Sequence, residues 1–381
     1  MQGKNNEHMI DIVEDFQCPH QTDKYRDAFR KWRRRDSNRY AFRVTKNLRE
    51  VSFSDSVRTS EVSPYRAEQE VLYRLGYLIG CAMVIYLTVE NVLDKLIVWL
   101  LNTMGMDIQM IFWGTNLYGD ERNVFLVIVM INALKYLIPL IILHRFLRIP
   151  IAVSMPTYIT SPMDLLFGIV LTMMLSVGCG LFSVTTSDEL EKYKLICNAV
   201  GVNDTRMVMY TLFTVLVMPI LIELLLHGAM FQVLRQFGDS FAILAVTLLS
   251  AVIMHSLEDG LRIAIMTMTF SYFVIRTGSF WTAVILHIVH EIFMFTLFYL
   301  ETFENEFTLW WWIMMLLPCV IGILVGAYML FRDPETERSE PKNMTFLKMG
   351  DKCLTFFSSI PMVGMIVISI VLMITSAVLV M

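Results

Sequence analysis

Nine stretches of this chain are each long and apolar enough to cross a bilayer core of about 30 Å. That recurrence commits it to an all-α, polytopic transmembrane helix bundle of about eight or nine spans. In lipid a helix satisfies its own backbone N–H and C=O groups. The windows run Leu75–Leu101, Val124–Leu147, Met163–Val184, Met207–Leu234, Ser240–Ser256, Gly260–Arg276, Ser279–Leu300, Leu309–Phe331 and Ser359–Met381. The fifth and sixth are short for a span. Composition agrees: 56% of residues are hydrophobic and 17% charged, outside the range of a soluble domain. The six cysteines are scattered with no CxxC pair, so neither a disulfide framework nor a zinc knuckle is indicated.

The charges are segregated. Residues 1–74 form a basic N-terminal extension in which Tyr25, Phe29 and Trp32 fall at i, i+4, i+7 beside Lys24, Arg26, Lys31, Arg33, Arg34 and Arg35. That spacing suits an amphipathic helix on an anionic membrane face. The plainer reading is a solvated extension that only fixes orientation. Arg145, Arg148, Arg235, Arg276, Lys342 and Lys348 fall on the same side as this head, which places the N-terminus in the cytoplasm of a multi-pass cell-membrane protein. Residues 75–206 read as accessory spans and 207–300 as the core. Residues 301–381 read as C-terminal spans with a polar linker at 332–358. No nucleic-acid partner is expected.

Residues 207–300 hold the chemistry. Within apolar windows lie Glu223, His227, His255, His287, His290 and Glu291. An ionisable side chain at mid-bilayer costs about 2.5–3.5 kcal/mol on insertion scales. Several of these share neighbouring spans, so they should converge on a protein interior or a wet cavity. Glu223 and His227 stand at i, i+4 on one helix face, and His287 and Glu291 repeat that spacing. Taken singly, each also reads as a buried polar group bonded to a backbone carbonyl. Glu90 and Lys135, at mid-depth in the first two spans, have the charges to pair across helices.

These residues carry a resemblance. Pro219-Ile-Leu-Ile-Glu223-Leu-Leu-Leu-His227-Gly228 resembles the P-x-x-E-E-x-x-x-R-G motif of the CAAX protease and bacteriocin-processing family of intramembrane endopeptidases. Leu249-Ser-Ala-Val-Ile-Met-His255 resembles its F-x-x-x-H element. Tyr272-Phe-Val-Ile-Arg276-Thr-Gly278-Ser279-Phe-Trp281-Thr-Ala-Val-Ile-Leu-His287 is similar to its RTGSLW…H helix pair, and Glu291 falls on its H-x-x-x-N/D position. The resemblance implies a CAAX-protease-like core. It also implies hydrolysis of a membrane-associated polypeptide, with Glu223, His255, His287 and Glu291 as catalytic residues and His227 and His290 in support.

The departures bear on that activity. The first Glu of the family pair, held to activate the attacking water, is Ile222 here, which can neither take nor give a proton. Glu223 sits about 100° around the helix from it. The motif arginine is His227, and the amide position is Glu291. In one reading the site is degenerate and the chain binds a membrane partner without cutting it. In the other, Glu291 or Glu223 supplies the base while imidazoles position the water. The cofactor stays open: His227, His255, His287 and Glu291 are acceptable ligands for zinc or another divalent metal, and no HExxH is present.

Overall fold

The structure is a computed structural model that describes residues 9–11, 20–35, 37–42, 45–47, 64–110, 117–182, 205–254, 256–302, 304–331 and 345–380. His255 and the first part of the predicted linker, 332–344, lie outside the described residues. The described chain is helical apart from loops and two short antiparallel ladders. Met9–Asp11 (β1) pairs with Thr45–Asn47 (β2), and Ile108–Met110 (β3) with Leu117–Gly119 (β4).

The helices start and stop where the side chains can satisfy their ends. Helix α1 (Asp23–Arg34) is capped by the Thr22 hydroxyl, which accepts from the Tyr25 N–H. A long rod follows: α2 (Pro64–Thr88) passes through a π turn, Val89–Leu93, into α3 (Asp94–Thr103). Helix α4 (Glu121–Leu147) begins on Asp120, whose carboxylate accepts from the Arg122 and Asn123 N–H groups at 3.0 and 3.2 Å. Lys135 of α4 meets Glu90 of the π turn at 3.0 Å, as their charges and depth predict. After the short α5 (Ile151–Ser154) comes α6 (Pro162–Phe182).

The motif rod is compound. It comprises α7 (Thr205–Leu212), a π segment Phe213–Val217, α8 (Met218–Glu223), a second π segment Leu224–Phe231, and α9 (Gln232–Leu234). Then α10 (Asp239–Val252) folds back on α11 (Leu257–Thr277), whose Ser256 cap accepts from the Asp259 N–H at 3.0 Å. Helix α11 ends on Gly278 at φ +69°, where an added Cβ would run into the His20 carbonyl, so glycine is required twice over. The chain then enters α12 (Phe280–Thr302), α13 (Glu304–Phe331), α14 (Met349–Phe357) and α15 (Ile360–Val380). Gly322, the first glycine of a GxxxG on α13, lets that helix close onto Met174 of α6.

The polytopic α-helical bundle is as the hydrophobic runs predict, with fewer helices than windows meeting the length and hydropathy of a span. Among the described residues six helices are long and apolar enough to cross a bilayer. They are Tyr65–Thr103, Arg122–Leu147, Pro162–Cys179, Phe213–Phe237, Phe280–Leu297 and Thr308–Phe331. A seventh is added if Met349–Phe357 and Ile360–Thr375, bent by 80°, form one span. The difference lies in the fifth and sixth windows. Helix α10 has only 14 residues, and α11 carries Glu258, Asp259, Arg262 and Arg276. The two pack against each other as a hairpin, with Ser250 Oγ donating to Thr267 Oγ1 at 3.0 Å.

Helix α1 also departs from expectation. Its apolar stripe faces protein, with Tyr25, Phe29 and Trp32 each no more than 2% exposed. Tyr25 Oη donates to Gln232 Oε1 at 2.9 Å, and Trp32 Nε1 donates to the Leu147 carbonyl at 2.8 Å. Just beyond, the Phe42 N–H donates to Gln236 Oε1 at 2.8 Å. Tyrosine and tryptophan need a partner for their polar ends when buried. Fixed protein acceptors meet that need, so α1 closes the bundle beneath the motif rod. Trp32→Ala should therefore cost about 3–5 kcal/mol of stability, read as thermal unfolding in detergent. A helix that rested only on lipid would leave that unfolding unchanged.

Candidate active site

Glu223 ends α8 where the backbone widens into the second π segment, a geometry frequent at functional sites. Its side chain is almost wholly buried, so its charge needs partners inside the protein. Both come from imidazoles. Oε1 accepts from His287 Nδ1 at 2.6 Å, and Oε2 is bonded to His227 Nδ1 one helical turn on. The first bond crosses from the motif rod to α12; the second stays on the rod. A carboxylate that is ionised can only accept, so both Nδ1 atoms carry the shared protons.

Each ring then presents Nε2 to a further group. His227 Nε2 is 2.8 Å from Ser271 Oγ on α11, and the ring packs on Phe231. His287 Nε2 is 3.7 Å from Glu291 Oε1 and packs on Phe270. That separation is too long for a good hydrogen bond, so the pair is an electrostatic contact. The result is a hydrogen-bonded path, Ser271–His227–Glu223–His287, with Glu291 in electrostatic contact at its end, spread over three helices. The Glu291 side chain retains 16% exposure against 2% for Glu223, so the path runs from a sealed end to a partly exposed one.

Of the residues singled out from the sequence, Glu223, His227, His287 and Glu291 are brought together. His290 faces another way: its Nδ1 is 2.8 Å from Ser176 Oγ on α6, and that hydroxyl donates to the Thr172 carbonyl. His255 lies outside the described residues. Ile222 packs with the apolar core beside Leu221 and Leu224. Ser271 and Ser176 were not legible as site residues. A serine in an apolar helix is as well explained by bonding to its own preceding turn. The one signal was the buried Thr267 one turn before Ser271, which makes a polar stripe on α11. Among the described residues, no group of three His, Cys, Asp or Glu side chains is placed to hold a metal ion.

Residues 204–293 match the family model described as type II CAAX prenyl endopeptidase Rce1-like. The match spans the motif rod, the α10–α11 hairpin and the part of α12 that carries His287 and Glu291. No curated protein and no solved structure matches the chain.

Removing one partner of a buried charge pair leaves the other uncompensated, at a cost of about 3–5 kcal/mol. The sharper test is coupling. A double-mutant cycle over Glu223→Gln and His287→Gln, read by unfolding in detergent, should return an interaction energy of about 0.5–3 kcal/mol. The same cycle with His290→Gln in place of His287→Gln should return close to zero.

Proposed function

We propose that this CAAX-protease-like membrane protein is an intramembrane endopeptidase that hydrolyses a membrane-associated polypeptide. In this reading the water-activating role has moved from the first motif position to Glu291. The observation that carries the proposal is the 2.6 Å bond from His287 Nδ1 to a buried carboxylate, with Nε2 turned toward the partly exposed Glu291. A buried acid that fixes one ring nitrogen sets the tautomer and direction of the other.

The chemistry follows from that arrangement. Glu291 takes a proton from water as its oxygen adds to the scissile carbonyl carbon. The His287 ring acts as an imidazolium between Glu223 and Glu291, so Nδ1–H is held by Glu223 and the oxyanion forms within reach of Nε2–H, which stabilises it. Glu291 then returns the proton to the departing amine as the C–N bond breaks, leaving a carboxylate and an amine product. Glu223 and His227 position the ring and do not touch substrate. His255, by its place in the motif, supplies the second imidazole. The excess of arginine in the N-terminal head supports a multi-pass protein of the cell membrane with that head in the cytoplasm.

A second reading is favoured by Ile222 packing in the core and by both Glu223 oxygens being occupied. On that reading the chain keeps the scaffold and binds a membrane polypeptide without cutting it.

Cleavage of tagged membrane peptides by the full chain in liposomes separates the two. The proposal expects turnover by wild type that falls by about 10²–10⁴-fold in Glu291→Gln and in His287→Ala. His255→Ala should fall as well. An inert wild type with activity appearing only in Ile222→Glu would establish the binding reading instead.

A further inference from the structure

A basic pocket lies away from the Glu223 cluster, where the turn after α1 meets the end of α4. Its volume is about 580 Å³, and it is lined by Arg35, Arg39, Arg145 and Arg148 together with Asn38, Tyr40, Phe146 and Leu147 among others. That volume falls within the range of small-ligand sites. Among the described residues no carboxylate lines it, and none pairs with any of the four arginines.

The pocket is built on a fixed frame. Trp32 Nε1 ties α1 to the Leu147 carbonyl, and Asn38 Nδ2 donates to the Trp32 carbonyl at 2.9 Å. The Tyr40 N–H closes the turn on Asn38 Oδ1 at 3.0 Å. Arg148 caps α4 in the left-handed region at φ 49°, alone among the described non-glycine residues. Backbone strain of that kind is held by its surroundings and clusters at ligand sites. Arg145 and Arg148 would complement the α4 dipole by themselves. Arg35 serves the end of α1 in the same way, but Arg39 lies at no helix end, and the two elements bring all four arginines to line one space.

Depth identifies the ligand. The candidate span Arg122–Leu147 ends at this pocket, so it opens at the boundary between hydrocarbon and headgroups. Arginines read phosphate through paired N–H donors. Exposed Phe146 and the phenol of Tyr40 offer an apolar wall to the glycerol end of a lipid. We propose that this pocket binds a phosphate group, presented by the headgroup of an anionic phospholipid.

The test uses the full chain purified in a neutral detergent and titrated with short-chain phosphatidic acid, short-chain phosphatidylcholine and inorganic phosphate. Phosphatidic acid should bind saturably, at least tenfold more tightly than phosphatidylcholine, and more weakly as salt screens the arginines. The Arg39→Gln, Arg145→Gln, Arg148→Gly triple variant should lose at least tenfold. Glycine accepts the left-handed backbone at position 148 without strain, and an unchanged melting temperature will verify the fold. Inorganic phosphate binding as well as the lipid would keep the phosphate site and make a soluble phosphate its source. Equal binding of phosphatidylcholine, or a triple variant that binds like wild type, would overturn the proposal.

Discussion

Glu223 is an acid that lipid would not accept and that water does not reach, so its neighbours must neutralise it. Two imidazoles do so, one from its own helix and one from α12, each taking a separate oxygen. The arrangement sets a demand on the rest of the bundle. The motif rod, α11 and α12 have to meet at one depth and one rotation, because Ser271 and Glu291 extend the same path on either side. The close packing of α6 on α11 and α12, and of α10 on α11, holds that register. The π segment after Glu223 is the local adjustment on the motif rod.

The same logic links the site to the N-terminal helix. Tyr25 and Phe42 are tied to Gln232 and Gln236, just past the end of the second π segment. Arg235 lies between the Tyr25 and Phe231 rings and pairs with Asp239 at 2.7 Å. A segment that reads as an appendage is therefore packed against the end of the motif rod. The bonds to Gln232 and Gln236 and the Arg235–Asp239 pair limit the freedom of the rod's lower end to rotate.

Much of this was legible in the residues. Ionisable groups in apolar windows have to find one another, and the motif spacing identified which helices would supply them. Glu90 and Lys135 paired for the same reason. What escaped was whatever hydropathy treats alike. A window average overlooks length and end charges, which is why the α10–α11 hairpin read as two spans although α10 has 14 residues and α11 carries four charged ones. An aromatic stripe at i, i+4, i+7 fits a membrane face or a protein groove equally, and only the Gln232 and Leu147 acceptors decide for the groove. Serines are the extreme case, since Ser271 and Ser176 become site residues only once a second helix is seen to bring an imidazole to them.

The central claim, that one buried carboxylate holds two imidazoles by their Nδ1 atoms, is open to direct measurement. Nitrogen NMR of the full chain with labelled histidine, assigned by single substitution, reports the Nδ1 environments separately. Glu223→Gln should move the Nδ1 signals of both His227 and His287 while leaving His290, bonded to Ser176, in place. A change confined to one of the two rings, or spread equally over all three, would contradict the shared carboxylate.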